Sequence, residues 1–260
     1  DFRLYSKELD KNVNLEKGIV KPIIDNTNIG PYYVEPASEY VIFPYKVDGN
    51  QPELYSRKEL MTLFPKTWEY LSENRKVLAG RENGRMKGPK WYAYVYPKNL
   101  KKQNLSKMLI PHVVKTAASA IDEEGAYCLD NVGANGIILK DCVKEHPYYF
   151  LAIINNPLTS FFISKTSIFL SGGYYATNKQ FAGQIPIKCI DFSDSTKLNS
   201  YNRIVQWVGQ LINRKKAYAK VKTQNDERML KRQISTLNNQ IQSEVYNLYG
   251  LKKKEISIIE

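Results

Sequence analysis

DSTKLNSYNRIVQWVGQLINRKKAYAK, residues 194–220, decides the fold. Leu198, Tyr201, Ile204, Val205, Val208, Leu211 and Ile212 recur every three or four residues, the period of a helix with one apolar face. Asp194 or Ser195 can cap its start. Past a polar break at TQND (223–226), Leu230, Ile234, Leu237, Ile241, Val245 and Leu248 repeat the spacing, and Gly250 closes the run. Two long helices with unpartnered apolar faces predict a hairpin or coiled-coil arm over 195–250. Upstream of Asp194 the period is mostly that of strands. The predicted class is therefore α/β (α+β), a mixed-sheet lobe over 15–190 followed by a long C-terminal helical hairpin arm.

Within the lobe, 17–33 reads as an irregular segment punctuated by Pro22, Gly30 and Pro31. EYVIFPY (39–45) reads as an edge strand closed by Pro44, and DGNQP (48–52) as a turn. A helical turn over 58–63 precedes a helix from Pro65 to Ala79, with Trp68, Leu71 and Leu78 on one face and Gly80 as its stop. KWYAYVY (90–96) alternates like a strand, and KMLIPHVVK (107–115) is a strand broken by Pro111. Residues 126–140 read as a strand pair around Gly133, and DEE (122–124) as a solvated turn. Two helices are expected at 146–156 and behind Pro157, then a closing strand QIPIK (184–188). Trp68 and Trp207 fall on apolar helical faces and read as core.

The 260 residues carry 38 basic and 26 acidic side chains, net +12, with ordinary globular apolar content of 43%. The charge is uneven: 51–110 holds 13 basic and 5 acidic residues, and 201–260 holds 12 and 5, around a near-neutral middle. A basic excess points to a polyanionic partner. Over 81–102, RENGRMKGPKWYAYVYPKNLKK, the cations are interleaved with Trp91, Tyr92, Tyr94 and Tyr96, a composition suited to phosphates and bases. The same surface suits RNA, and a helical protein-interaction module with incidental charge fits the arm.

Chemistry of other kinds is not indicated. No apolar run is long enough to span a membrane. The start at Asp1 reads as a fragment or a processed chain. Cys128, Cys142 and Cys189 have no paired spacing and read as buried free thiols of a cytoplasmic protein. His112 and His146 have no ligand neighbours, so no metal site is expected. No nucleophile–base pair, P-loop or serine elbow occurs, so no catalytic residue is expected.

Several blocks resemble, in order, the TaqI-like C-terminal specificity domain of restriction–modification DNA methyltransferases. They are KGIVKPIIDNTNIGPYYVEPASEYVIFPY, TWEYLSENRKVLAGR with KWYAYVYPKNL, KMLIPHVVK with AIDEEGAYCLDNV, and YYFLAIINNPLTSFFI. SGGYYATNKQFAGQIPI is the most specific of them, and SEVYNLYGLKKKEISIIE resembles the tail of such enzymes. Departures are Tyr96, where the family pattern has Arg, and Ala176 and Thr177 after the double Tyr, all expected among DNA-facing residues.

The resemblance implies a DNA target-recognition domain at 1–194 and a helical arm with a terminal tail at 195–260. It implies double-stranded DNA and an N-terminal methylase domain of the parent chain as partners. That parent would be an adenine-specific N6 methyltransferase using S-adenosylmethionine, possibly fused to an endonuclease. NNPL at 155–158 is not the family's Asn-Pro-Pro-Tyr-type motif, so the 260 residues alone are expected to bind no cofactor and transfer no methyl group. Methylating a base in a duplex requires that base to leave the stack, with a separate lobe reading and holding the DNA. Two residue sets are expected to do so from one side: Arg81, Arg85, Lys87, Lys90, Tyr92, Tyr96, Lys98, Lys101 and Lys102 on phosphates and bases, and Tyr174, Tyr175, Asn178, Lys179 and Gln180 beside Gly172 and Gly173. The outer face of the arm, with Arg214, Lys215, Lys216 and Lys220, is expected to meet DNA or the methylase domain.

Overall fold

The structure, a computed structural model, describes residues 1–48, 51–130 and 132–260. Residues 49 and 50 of the expected turn and Asn131 of the expected strand pair lie outside the described residues. The chain is α+β, with its strands distributed over small two- and three-stranded sheets. It divides into two compact units: residues 1–23, 37–105 and 125–128 form the first, and 24–36, 106–124 and 129–260 the second.

The first unit begins with an antiparallel hairpin, Phe2–Ser6 with Lys11–Leu15, which the sequence had not signalled. Val20–Ile24, expected to be irregular, is a strand pairing antiparallel with Glu39–Ile42. Glu39–Ile42 ends ahead of Pro44, as expected. Helices α1 (Arg57–Leu63), α2 (Pro65–Glu73) and α3 (Arg75–Gly84) follow. The single helix expected over 65–79 is thus broken at Asn74 (φ −92°, ψ 7°), whose side-chain amide donates to the Tyr70 carbonyl at 2.9 Å. Helical geometry stops at Gly80, as expected, because Arg81 is extended (φ −57°, ψ 147°). Leu15, Ile19, Val20, Leu60, Leu71, Trp91 and Tyr92 make the core, with Trp68 and Leu78 packed against it.

Glu16 ties α2 into this unit. Its carboxylate accepts from the amides of Lys66 and Thr67 at 2.9 and 3.0 Å and from the Thr67 hydroxyl at 2.6 Å. It therefore supplies the cap that Phe64, at the N-cap position, cannot. Burial pushes the Glu16 carboxyl up, but the bonds from Thr67 and Lys66 outweigh it and hold the group below its ordinary 4.5. A depressed native value stabilises the fold above the unfolded value, and that contribution is lost as pH falls through the native one. Glu16→Gln is expected to lower stability at neutral pH and to flatten its decline between about pH 5 and about pH 3, read by thermal melts across that range.

The second unit holds the arm. Lys107–Pro111 pairs antiparallel with Ala120–Asp122 on one side and Ala134–Ile137 on the other. The segments expected to pair around Gly133 do not pair with each other: Ala134–Ile137 has Lys107–Pro111 as its partner, and Cys128–Leu129 is hydrogen-bonded to Val20–Ile24. Helices α4 (Pro147–Ile154) and α5 (Pro157–Thr166) occupy the expected stretches, and both, not α5 alone, start on Pro. A second three-stranded sheet, in which Tyr174–Ala176 pairs antiparallel with both Val113–Val114 and Phe169–Leu170, and the four-residue α6 (Lys179–Ala182) complete this part, while 184–188 is not a strand. The arm is α7 (Ser195–Tyr218) and α8 (Gln224–Tyr249), then α9 (Lys253–Ile259). The Asp194 side chain caps α7 by accepting from the Thr196 and Lys197 amides, Thr223 caps α8, and Gly250 at φ +71° ends it. Tyr201, Ile204, Val208, Leu211 and Ile212 from α7 and Leu237, Ile241 and Val245 from α8 are buried with Tyr149, Leu151 and Ile153 of α4 in one cluster. The period read in the sequence is the period of this burial, and Trp207 packs against it.

The solvated turn expected at 122–124 is corrected at its first residue. Asp122 accepts from Lys107 at 2.6 Å across the strand pair, and both side chains are 2% exposed. The cysteines are also corrected in part: Cys128 is buried, whereas Cys142 and Cys189 are exposed.

Candidate nucleic-acid interface

In the first unit, the basic–aromatic segment is a loop and not the predicted strand; its two components face opposite ways. At Arg81 the helical geometry of α3 ends (φ −57°, ψ 147°), and Glu82 and Asn83 are left-handed at φ 50° and 56°. This reversal aims the Arg81 guanidinium inward. It donates to the carbonyls of Leu78 at 2.8 Å, Trp91 at 3.0 Å and Ala93 at 2.9 Å, clasping the loop onto the helix. Arg81 is thus a folding residue, and its expected role on phosphate is corrected. Tyr92 is corrected likewise: it is 7% exposed, and its hydroxyl donates to the Tyr55 carbonyl at 2.7 Å. Trp91 is 4% exposed, and the Tyr94 hydroxyl donates to the Ile42 carbonyl. Burying the Trp91 and Tyr92 rings satisfies both the hydrophobic effect and the Tyr92 hydroxyl donor, leaving Tyr96 as the exposed ring of the segment.

The remaining members lie outside. Arg85, Lys87, Lys90, Tyr96, Lys98, Lys101 and Lys102 are all exposed. The Arg85 guanidinium sits 5.8 Å from the Tyr96 ring centroid, a cation–π contact. Asn99, left-handed at φ 55°, turns the chain into a 3-10 segment, Leu100–Asn104. Buried Leu100 anchors that turn, so Lys101 and Lys102 project from a fixed point.

In the second unit, Phe169–Leu170 and Tyr174–Ala176 form an antiparallel hairpin whose turn holds Gly172 and Gly173 at φ +77° and +80°. Two successive left-handed residues fit glycine best. Tyr174 is exposed, and the Lys115 ammonium lies 5.0 Å from its ring centroid. Tyr175 is half-buried against Phe169, centroids 5.5 Å apart, so of the two tyrosines it is the packing one. Asn178 is exposed but committed: its Oδ1 accepts from the Gln180 amide at 3.0 Å and caps α6. Lys179 and Gln180 are exposed on that helix. Thr177, expected to face DNA, is 1% exposed and donates to the Pro111 carbonyl. Reading the sequence passed over Lys115 and the edge-strand residue Phe169, which is 64% exposed. The signal available was an apolar residue flanking a Gly-Gly turn.

The NNPL stretch is structural. Asn155 bridges both backbone groups of Ser119, at 2.7 and 2.9 Å, and the Asn156 side chain caps α5. Among the described residues no group of three His, Cys, Asp or Glu is placed to hold a metal, and no helix is long and apolar enough to cross a membrane.

These features define an α+β module with exposed basic loops. The chain belongs to the TaqI-like C-terminal specificity domain family, which matches residues 21–187. It is similar to the type II restriction enzyme and methyltransferase RM.Eco57I of Escherichia coli, 23% identical over 251 residues, covering 92% of this chain. The chain spans 25% of that relative's length.

Proposed function

We propose that this chain reads sequence in duplex DNA for a restriction–modification enzyme, holding the DNA for an adenine methylase domain elsewhere in the parent. Membership of the specificity-domain family carries the reading. Two surfaces are assigned to it, one on each unit. Lys87, Lys90, Lys98, Lys101 and Lys102, with Arg85 and Tyr96, take phosphates. Lys179 and Gln180, with Tyr174 and the polar groups of Tyr175 and Asn178 left over from packing and capping, read bases. The division by role, 1–194 for recognition and 195–260 for the arm, belongs to the same proposal, as does a cytoplasmic location.

S-adenosylmethionine and the flipped target belong to the methylase part. Here Asn155 and Asn156, which are not that part's Asn-Pro-Pro-Tyr-type motif, are engaged with Ser119 and the start of α5. The contribution of this chain is therefore positional: phosphate contacts fix register and base contacts choose the site.

The two surfaces are expected to fail differently. Lys101→Ala with Lys102→Ala weakens all duplexes alike and lowers the slope of log affinity against log salt by roughly one unit per lost contact. Lys179→Ala or Gln180→Ala costs about 1–3 kcal/mol on the preferred sequence and little on random DNA. Gel shifts across a salt series, with duplex and single-stranded competitors, check both. An unchanged salt slope removes the first assignment, and equal losses on preferred and random DNA remove the second. Preference for single strands favours RNA or single-stranded partners instead.

A further inference from the structure

The end of the arm where α7 passes into α8 carries more charge than local structure requires. Between Arg214 and Arg232 stand eight basic residues and two acidic ones, Asp226 and Glu227. Two of the eight are in ion pairs: Lys216 with Glu123 at 3.5 Å and Lys231 with Glu227 at 2.7 Å. Arg214, Lys220, Lys222, Arg228 and Arg232 are exposed and outside ion-pair distance of any carboxylate among the described residues. Cations near a helix C-terminus are stabilised by the helix dipole, which accounts for Lys215 and Lys216 in the last turn of α7. It does not account for Arg228, which follows directly on Asp226 and Glu227 in the opening turns of α8, where acidic side chains are the favoured ones.

A cleft of about 670 Å³ opens at this end of the arm, with Tyr33, Glu35, Lys215, Tyr218, Lys231 and Asn238 in its walls. Lys215 is half-buried there. Burial pushes its ammonium down, offset in part by Glu35, which stands beyond ion-pair distance. An anion entering the cleft would therefore find a cation that water solvates poorly. The partner chemistry follows from the residue types. The core of a protein–protein interface is depleted of charged residues and is built on aromatic and apolar anchors, which this surface does not offer among its five exposed cations. Clustered, extended Lys and Arg side chains instead suit a regular array of phosphates.

We infer that this end of the arm is a second, sequence-independent contact for the phosphate backbone of duplex DNA, separate from the loops assigned to recognition. The inference rests on the reading of the chain as a duplex-binding module. Its test uses the full 260-residue chain and a random-sequence duplex of about 40 bp, titrated between about 50 and 200 mM salt. The variant Lys220→Gln, Lys222→Gln, Arg228→Gln, Arg232→Gln is compared with Lys58→Gln, Lys76→Gln, Lys253→Gln, Lys254→Gln, which removes the same net charge elsewhere. The arm variant is expected to lose affinity roughly tenfold and to lower the salt slope by about two to four. The control stays within about twofold of the parent chain. Lys220→Gln with Lys222→Gln alone lies in the connector outside both helices, so it leaves their folding intact and is expected to give about half the slope change. Unchanged binding by both arm variants overturns the inference, as does an equal loss in the control, which would make the effect one of net charge. Failure of the unaltered chain to bind duplex at all overturns the DNA reading itself, and this inference with it.

Discussion

Replacing Asp122 by alanine is expected to lower the unfolding free energy of the second unit by about 3–5 kcal/mol. Asp122 and Lys107 sit opposite each other in register on neighbouring strands, 2.6 Å apart and 2% exposed. Removing Asp122 takes from the buried Lys107 ammonium the carboxylate that faces it, so the cost of burying that charge is no longer offset by this pair. Replacing both by apolar residues of similar volume is expected to recover most of it, because neither charge then has to be buried. Denaturant unfolding followed by the helical circular dichroism signal measures both variants. A loss below about 1 kcal/mol for Asp122→Ala would mean that water reaches the pair and that it behaves like an exposed one.

Arg81→Ala carries the second large effect, a loss of about 2–4 kcal/mol from the first unit. Three hydrogen bonds from a charged donor hold the 85–99 loop against α3, and their removal strands the Trp91 and Ala93 carbonyls. The loop's buried rings, Trp91 and Tyr92, depend on that clasp for their position. Denaturation gives the stability loss, and the salt slope of DNA binding separates two roles for the residue. A clasp changes stability and leaves no phosphate contact to lose. A full unit of slope lost with stability intact would restore Arg81 to the DNA surface.

What could be read from the sequence followed from how each element earns its burial. The arm was legible because α7 and α8 each bury one face over more than twenty residues, and so long a period has one interpretation. Capping by Asp194 and termination by Gly250 were local signals that no tertiary contact overrode. The 90–96 segment misled because its aromatic spacing imitates a half-buried strand. Trp91 and Tyr92 are adjacent and both buried, which a strand facing solvent on one side does not allow, and the turns that permit it are held by Arg81 from ten residues away. The Lys107–Asp122 pair was hidden for a similar reason: a carboxylate followed by two others reads as solvated until its cross-strand neighbour is known. On the surface, composition located the basic loops, whereas the fold decided which members were spent on capping or packing, as with Asn178 and Tyr92.

The most direct measurement is selection of bound sequences from a pool of random duplexes by the 260-residue chain, alongside its Lys179→Ala and Gln180→Ala variants. The account predicts enrichment of one motif by the unaltered chain, and loss of that enrichment in a loop variant that still binds the pool. Duplex binding with no enriched motif, or a motif unchanged in both loop variants, would contradict it.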